Sequence, residues 1–118
     1  MSDDPGDTRP WRLYIQDMVE FGERVLSYTE GMDQAGFITD RRTYDATLRN
    51  IELIGEAATH IPVHVRQSHS DIEWRSIVGA RNRVAHGYLG IDDDVVWDIV
   101  QTGVPQMLSK LRRLMDSA

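Results

Sequence analysis

The stretch Trp74-Arg75-Ser76-Ile77-Val78-Gly79-Ala80-Arg81-Asn82-Arg83-Val84-Ala85-His86-Gly87-Tyr88 is where the chain departs most from a plain helical domain. At about 100° per residue, Trp74, Ile77, Val78, Ala80, Val84 and Ala85 share one side of a helix. Arg81 lies near the middle of that apolar arc. Asn82 and His86 are i and i+4, stacked one turn apart, on roughly the opposite side. Gly87 is the residue type that most easily ends a helix in the left-handed conformation, so Tyr88 falls just past the helix end. A guanidinium inside an apolar arc must find an acceptor or reach a cleft, because an unpaired buried charge costs several kcal/mol.

Upstream, Ser70 with Glu73 reads as a capping box that opens this third helix, with Trp74 as its core anchor. The second helix is expected from Asp40, a candidate N-cap, to the neighbourhood of His60, where Pro62 stops it. Tyr44, Leu48, Ile51, Ile54, Gly55 and Ala58 form its main apolar arc, and Gly55 would let another helix approach closely. Ala46, Leu53 and Ala57 make a second strip almost opposite, which places the helix centrally or between the core and a partner subunit. Between the two strips stands a ladder of Arg49, Glu52 and Glu56. Glu52 and Glu56 read either as a solvated face or as the acceptor that holds Arg81 or orients His86.

The first helix starts near Thr8 and Pro10. Tyr14, Met18, Phe21, Val25 and Tyr28 form its stripe, and Gly31 and Gly36 break it. In the connector between the second and third helices, His60, His64 and His69 tempt a metal reading. Pro62 interrupts the helix needed to align them, and no carboxylate joins at ligand spacing, so no metal is expected. Asp92-Asp93-Asp94 reads as an N-cap with two acids in the first turn of the fourth helix. That helix carries Val95, Val96, Ile99, Val100, Val104, Met107, Leu108, Leu111 and Leu114 on one broad side, with a kink expected near Gly103 and Pro105.

At 118 residues without cysteine, one domain with an ordinary core is expected, and thiol catalysis, disulfides and zinc ribbons are excluded. Residues 1–8 read as a disordered acidic tail and 9–118 as a single helical domain. No apolar run approaches the ~18 residues of a membrane span, so a soluble cytoplasmic protein is expected. The net charge of −6 argues against a sequence-independent DNA coat. It leaves room for a local cationic site, since all but one of the 13 basic residues are arginine, the better fork for phosphate. No strand alternation or repeat is visible. The architecture expected is all-α, an antiparallel four-helix bundle.

The spacing R-N-x-x-x-H-x-Y at the end of the third helix resembles the signature of the HEPN superfamily (higher eukaryotes and prokaryotes nucleotide-binding), and within it the HepT-like toxins. Arg49-Asn50-Ile51-Glu52 and Ile54-Gly55-Glu56-Ala57 are similar to that family's second helix. Trp74-Arg75, Gly90-Ile91-Asp92, and Trp97 with Pro105 also fit, so the likeness runs from Trp11 onward. The resemblance implies a homodimer whose motif helices line one cleft, where RNA is cleaved without metal or other cofactor. It implies the toxin of a type VII-like toxin–antitoxin system, whose partner nucleotidyltransferase (MNT) transfers AMP from ATP onto the motif tyrosine. Carried over by position, Arg81 and His86 are catalytic, Asn82 supports them and Tyr88 accepts AMP. RNA is the implied substrate; membrane and DNA are not. On an ideal helix Arg81 points about 140° from His86, so a shared site requires the long side chain to reach round or a second subunit to contribute. Two other classes remain open: a nucleotide-binding domain without nuclease activity, and a non-catalytic helical partner of a nucleotidyltransferase.

Overall fold

A computed structural model describes residues 9–85 and 92–117. The expected tail, 1–8, lies outside the described residues, as do His86, Gly87, Tyr88, Gly90 and Ile91. Four long helical stretches are present: α1 (Trp11–Thr29), α3 (Arg41–Ala58), α5 (Trp74–Ala85), and a run of α6 (Asp93–Asp98), a π-helical segment (Ile99–Gly103) and α7 (Val104–Ser117). Two short helices, α2 (Gln34–Thr39) and α4 (Val63–Ser68), fill the first two connections. Among the described residues there is no strand, and the protein is an all-α helical bundle. No described helix is long and apolar enough to cross a membrane.

Helix α3 is central, packing against α1 on one side and α5 on the other, while α1 also carries α7. Of the second apolar strip of α3, Ala57 is buried, while Ala46 and Leu53 are half-buried.

The buried line of α1 is Ile15, Met18, Gly22, Val25 and Thr29, about one residue round from the aromatic stripe seen in the sequence. Tyr14 and Phe21 are half-buried, and Tyr28 is 41% exposed. Gly22 stands on that buried line. A Cβ there would come within 2.8 Å of Leu108 Cδ2, so the point of closest approach to α7 is held by a residue without a side chain. Leu108, Leu111 and Leu114 are all 1% exposed or less and close this part of the core.

Gly31, at φ 75°, turns the chain after α1, as expected of a left-handed position. Gly36 does not break a helix; it lies inside α2. The Asp33 carboxylate accepts the Gly36 N–H at 2.8 Å and nucleates that turn. Asp40 then closes α2 with its backbone N–H, 3.1 Å from the Gly36 carbonyl. Its side chain accepts the Thr43 N–H and so opens α3. Phe37, fully buried, anchors α2 between Tyr44 and Trp97, with both ring centroids at 5.3 Å.

The Ser70–Glu73 capping box is not formed. Residues 69–72 make a turn, and α5 starts at Trp74, with the Ile77 N–H on the Glu73 carbonyl. Trp74 itself locks the turn by donating its indole N–H to the His69 carbonyl at 3.1 Å. Asp92 caps α6 by accepting from the Asp94 N–H, with Asp93 and Asp94 in the first turn. Pro105 has no N–H to return to the preceding turn. Just before it the chain widens into π-helical bonding, with the Val104 N–H on the Ile99 carbonyl. This wider turn accommodates the proline within a continuous helical run.

Candidate functional site

The site takes shape where α5 crosses α3. A Cβ at Gly55 would collide with Cβ of Arg81 and lie 3.1 Å from the Ile77 carbonyl oxygen. The absence of a side chain at Gly55 thus lets the stem of Arg81 lie directly on the α3 backbone. The arginine enters the apolar arc by its methylenes alone, and its charged head emerges at the edge, where its side chain is 31% exposed.

There the guanidinium meets the residue after the glycine. Arg81 Nη1 donates to Glu56 Oε2 at 2.5 Å. Of the two carboxylates on the α3 ladder, Glu56 is thus the acceptor, while Glu52 pairs with Arg49 along its own helix. Arg81 Nη2 lies 3.4 Å from the side-chain oxygen of Asn82. The guanidinium therefore bends away from the apolar arc, toward the exposed side of α5 that Asn82 occupies. Asn82 precedes His86 by one helical turn in sequence. His86 and Tyr88 themselves, expected as catalytic and modified residues, lie outside the described residues.

Helix α5 carries Arg75, Arg81 and Arg83 and no acidic residue. Arg75 and Arg83 are exposed, and among the described residues neither makes an ion pair. A chain of net charge −6 thus presents a locally cationic helix beside Asn82. The only carboxylate bound to that helix's arginines among the described residues is Glu56. Ile77, Val78 and Ala80 are only half-buried, so the apolar arc of α5 is incompletely covered.

The sequence reading assigned His60 no role beyond a rejected metal site. It is i+4 from Glu56 on the same helical line, and its Nε2 lies 3.7 Å from Glu56 Oε1. Its ring stacks on Tyr14 of α1, with centroids 4.4 Å apart and planes 6° from parallel. The spacing was visible in sequence; the contact with Tyr14 was not, because it joins α1 to the end of α3. Among the described residues, no group of three or more histidine or acidic side chains is arranged to hold a metal.

The other end of α3 carries a second polar clamp. Tyr44 donates its hydroxyl to Asp93 at 2.8 Å, and Gln34 donates to Asp94 at 2.5 Å. Burial, reinforced by the bond to the Asp93 carboxylate, pushes the Tyr44 phenol up to about 12. Both clamps flank the segment that contains the motif histidine and tyrosine, one at the α5 side and one at the start of α6.

The chain is similar to known proteins over most of its length. Residues 18–114 match the family model described as "Ribonuclease HepT-like". A protein of Thermococcus cleftensis named "Probable ribonuclease HepT" is 32% identical over 106 residues, which is 90% of this chain and 96% of that protein. Two Methanocaldococcus jannaschii proteins named "Putative RNase" are 32% and 27% identical, covering 84% and 88% of this chain and 91% and 86% of their own lengths. No solved structure matches the chain.

Proposed function

The chain belongs to the HepT-like ribonuclease family, and from that premise we propose that it is the toxin of a two-component system. In this reading it cleaves RNA without metal and is silenced by a partner nucleotidyltransferase that adds AMP to Tyr88. The observation that carries the reading is the Arg81 head, held at the surface by Glu56 and turned toward Asn82, one turn ahead of His86. The turn toward Asn82 supports a reading in which the arginine reaches round its own helix toward the side of His86.

The chemistry follows from the two side chains. His86 takes the proton from a ribose 2′-OH, whose oxygen attacks the adjacent phosphorus and displaces the 5′-oxygen of the next nucleotide. The departing oxygen must be protonated, and the products are a 2′,3′-cyclic phosphate and a free 5′-hydroxyl. An imidazole titrates in the range needed for such transfers. Arg81 holds the non-bridging oxygens as charge builds on the phosphorane. Arg75 and Arg83 supply further positive charge along the same helix for the RNA backbone.

A homodimer that brings two α5 helices to one cleft is part of this reading. Its support is the half-covered arc of Ile77, Val78 and Ala80. An AMP on Tyr88, two residues from His86, would set a phosphodiester against Arg81 and an adenosine in the path of RNA.

The test is cleavage of RNA in the presence of EDTA by the wild type, Arg81→Ala and His86→Ala, each checked for helical content and by light scattering. Loss of about 100-fold or more in both variants is expected. Wild-type cleavage by His86→Ala would overturn the mechanism. A folded wild type that cleaves nothing yet binds its nucleotidyltransferase would favour the non-catalytic partner class instead. Incubation with that partner, ATP and magnesium should add AMP to Tyr88 by peptide mass spectrometry, and Tyr88→Phe should stay active and unmodified.

A further inference from the structure

Glu56 stands between two basic groups, Arg81 on α5 and His60 in the turn that follows α3. Oε2 receives Arg81 at 2.5 Å, and Oε1 faces His60 Nε2 at 3.7 Å. We propose that His60 is a positioning residue for Arg81: acting through Glu56, it fixes the carboxylate that holds the guanidinium and sets how firmly Arg81 is kept from a phosphate. The consequence for RNA rests on the ribonuclease reading above; the coupling of the three side chains does not.

The geometry supports a defined ring rather than a loose surface histidine. The His60 side chain is 29% exposed, and the parallel stack on Tyr14 fixes the ring plane. The described cations nearest to it have partners of their own. From the α1 side, Arg9 lies over the Tyr14 ring at 4.6 Å and pairs with Asp17 at 2.5 Å. From α4, the Arg66 guanidinium is committed to the carbonyls of Ala58, Thr59 and Ile61 at the end of α3. From α3 itself comes Glu56, and from α5, through Glu56, Arg81. Glu56 faces both His60 and Arg81.

The sign of the effect follows. With a neutral imidazole, Glu56 answers Arg81 alone, and a phosphate must compete with a whole carboxylate for the guanidinium. With an imidazolium, the same carboxylate is shared between two cations, its hold on Arg81 slackens, and a phosphate captures the guanidinium more readily. Acidification through the imidazole range therefore raises affinity for RNA phosphate at Arg81. His86 as a general base works in the opposite direction on the chemical step, so the two histidines separate into KM and kcat. Because Glu56 is more than half exposed, the effect is that of a solvent-screened pair, about two- to fivefold.

The experiment follows the Arg81 Nε–H resonance in the full-length, nitrogen-15-labelled protein between about pH 5.5 and 7.5, a range spanning imidazole titration. The resonance is identified by its loss in Arg81→Lys. It should move with pH in the wild type and in His86→Ala, and stay flat in His60→Gln and in Glu56→Gln. A resonance that moves alike in the wild type and His60→Gln, or is flat in the wild type, overturns the inference. In the cleavage arm, KM should fall about two- to fivefold on acidification in the wild type. In His60→Gln the fall should vanish while the pH dependence of kcat keeps its shape. A KM that falls equally in His60→Gln overturns the role in RNA capture. A wild type that does not cleave removes the ribonuclease reading and leaves the resonance to decide the coupling.

Discussion

Gly22 and Gly55 each sit where one helix crosses another, yet the α1–α7 crossing is filled by a leucine and the α3–α5 crossing by an arginine. At Gly22 the neighbours are the ends of the Leu108 and Met107 side chains. At Gly55 they are the Cβ of Arg81 and the backbone carbonyl of Ile77. The first crossing lies among fully buried aliphatic residues. The second is half-open, and its polar head is caught by a carboxylate and an amide on the rim. The same missing side chain serves dense packing in one place and a held charge in the other. Aliphatic side chains close the first crossing, and a held charge stands at the second, where α5 is incompletely covered.

Three substitutions can break or sharpen that contrast. The largest effect is expected at Leu111, which is fully buried. Leu111→Ala should cost about 2–5 kcal/mol in urea unfolding. Cleavage per folded molecule should be unchanged, because Leu111 lies on α7, outside the α3–α5 crossing. A cost below about 1 kcal/mol would show that the α1–α7 side is not the stability centre.

Next come the two glycines, changed one at a time to alanine. Each gains about 1 kcal/mol of helix propensity. At Gly22 the clash is with side-chain ends that can rotate, so Gly22→Ala should lie within about 1 kcal/mol of the wild type. At Gly55 the clash is with a Cβ and a main-chain oxygen, which cannot yield without moving α5. Gly55→Ala should therefore be net destabilising by about 1–3 kcal/mol and should displace Arg81 from Glu56, with loss of cleavage. Equal stability of the two variants, with activity intact in both, would mean that the α3–α5 approach is not what sets the arginine.

Local signals exposed much of this in the sequence. The periodicity of α3 and of the α6–α7 run, the Asp40 and Asp92 caps, and the close approach at Gly55 could all be read from neighbours a few residues apart. So could the need of Arg81 for an acceptor, although Glu52 and Glu56 were equivalent until α5 was placed. What was missed depended on partners distant in the chain. The stripe of α1 looked aromatic because Gly22 contributes nothing to a hydrophobic pattern, and only the arrival of Leu108 shows it to be the contact point. Gly36 looked like a breaker because the cap from Asp33 and the burial of Phe37 outweigh its propensity. Ser70 and Glu73 had the right spacing for a cap, but the Trp74 indole bond to His69 holds the preceding turn out of the helix. His60 was weighed as a metal ligand since its two actual neighbours, Tyr14 and Glu56, sit on different helices.

A further small effect is expected at the far end of α3, where Tyr44 ties that shared helix to the first turn of α6. The bond runs from its hydroxyl to Asp93, a half-buried carboxylate that water can reach when the phenol is removed. Tyr44→Phe should therefore cost only about 0.5–1.5 kcal/mol at neutral pH, less than either Leu111→Ala or Gly55→Ala. Its pH signature is specific. The phenol titrates near 10 in an unfolded chain and at about 12 in the folded one, through burial and the neighbouring Asp93. The folded state thus keeps the proton longer than the unfolded state, so this tyrosine's contribution is fully present below about pH 10 and is lost as pH rises toward 12. The phenylalanine variant lacks that loss. The stability gap between wild type and Tyr44→Phe should be constant from neutral pH to about 9, then shrink and reverse above about 10. The two proteins differ at this one side chain, so contributions common to both cancel in the difference. Urea midpoints of the pair at pH 7 and pH 11 decide it, and a gap unchanged at the higher pH would show that the Tyr44–Asp93 clamp does not hold the proton as the geometry requires.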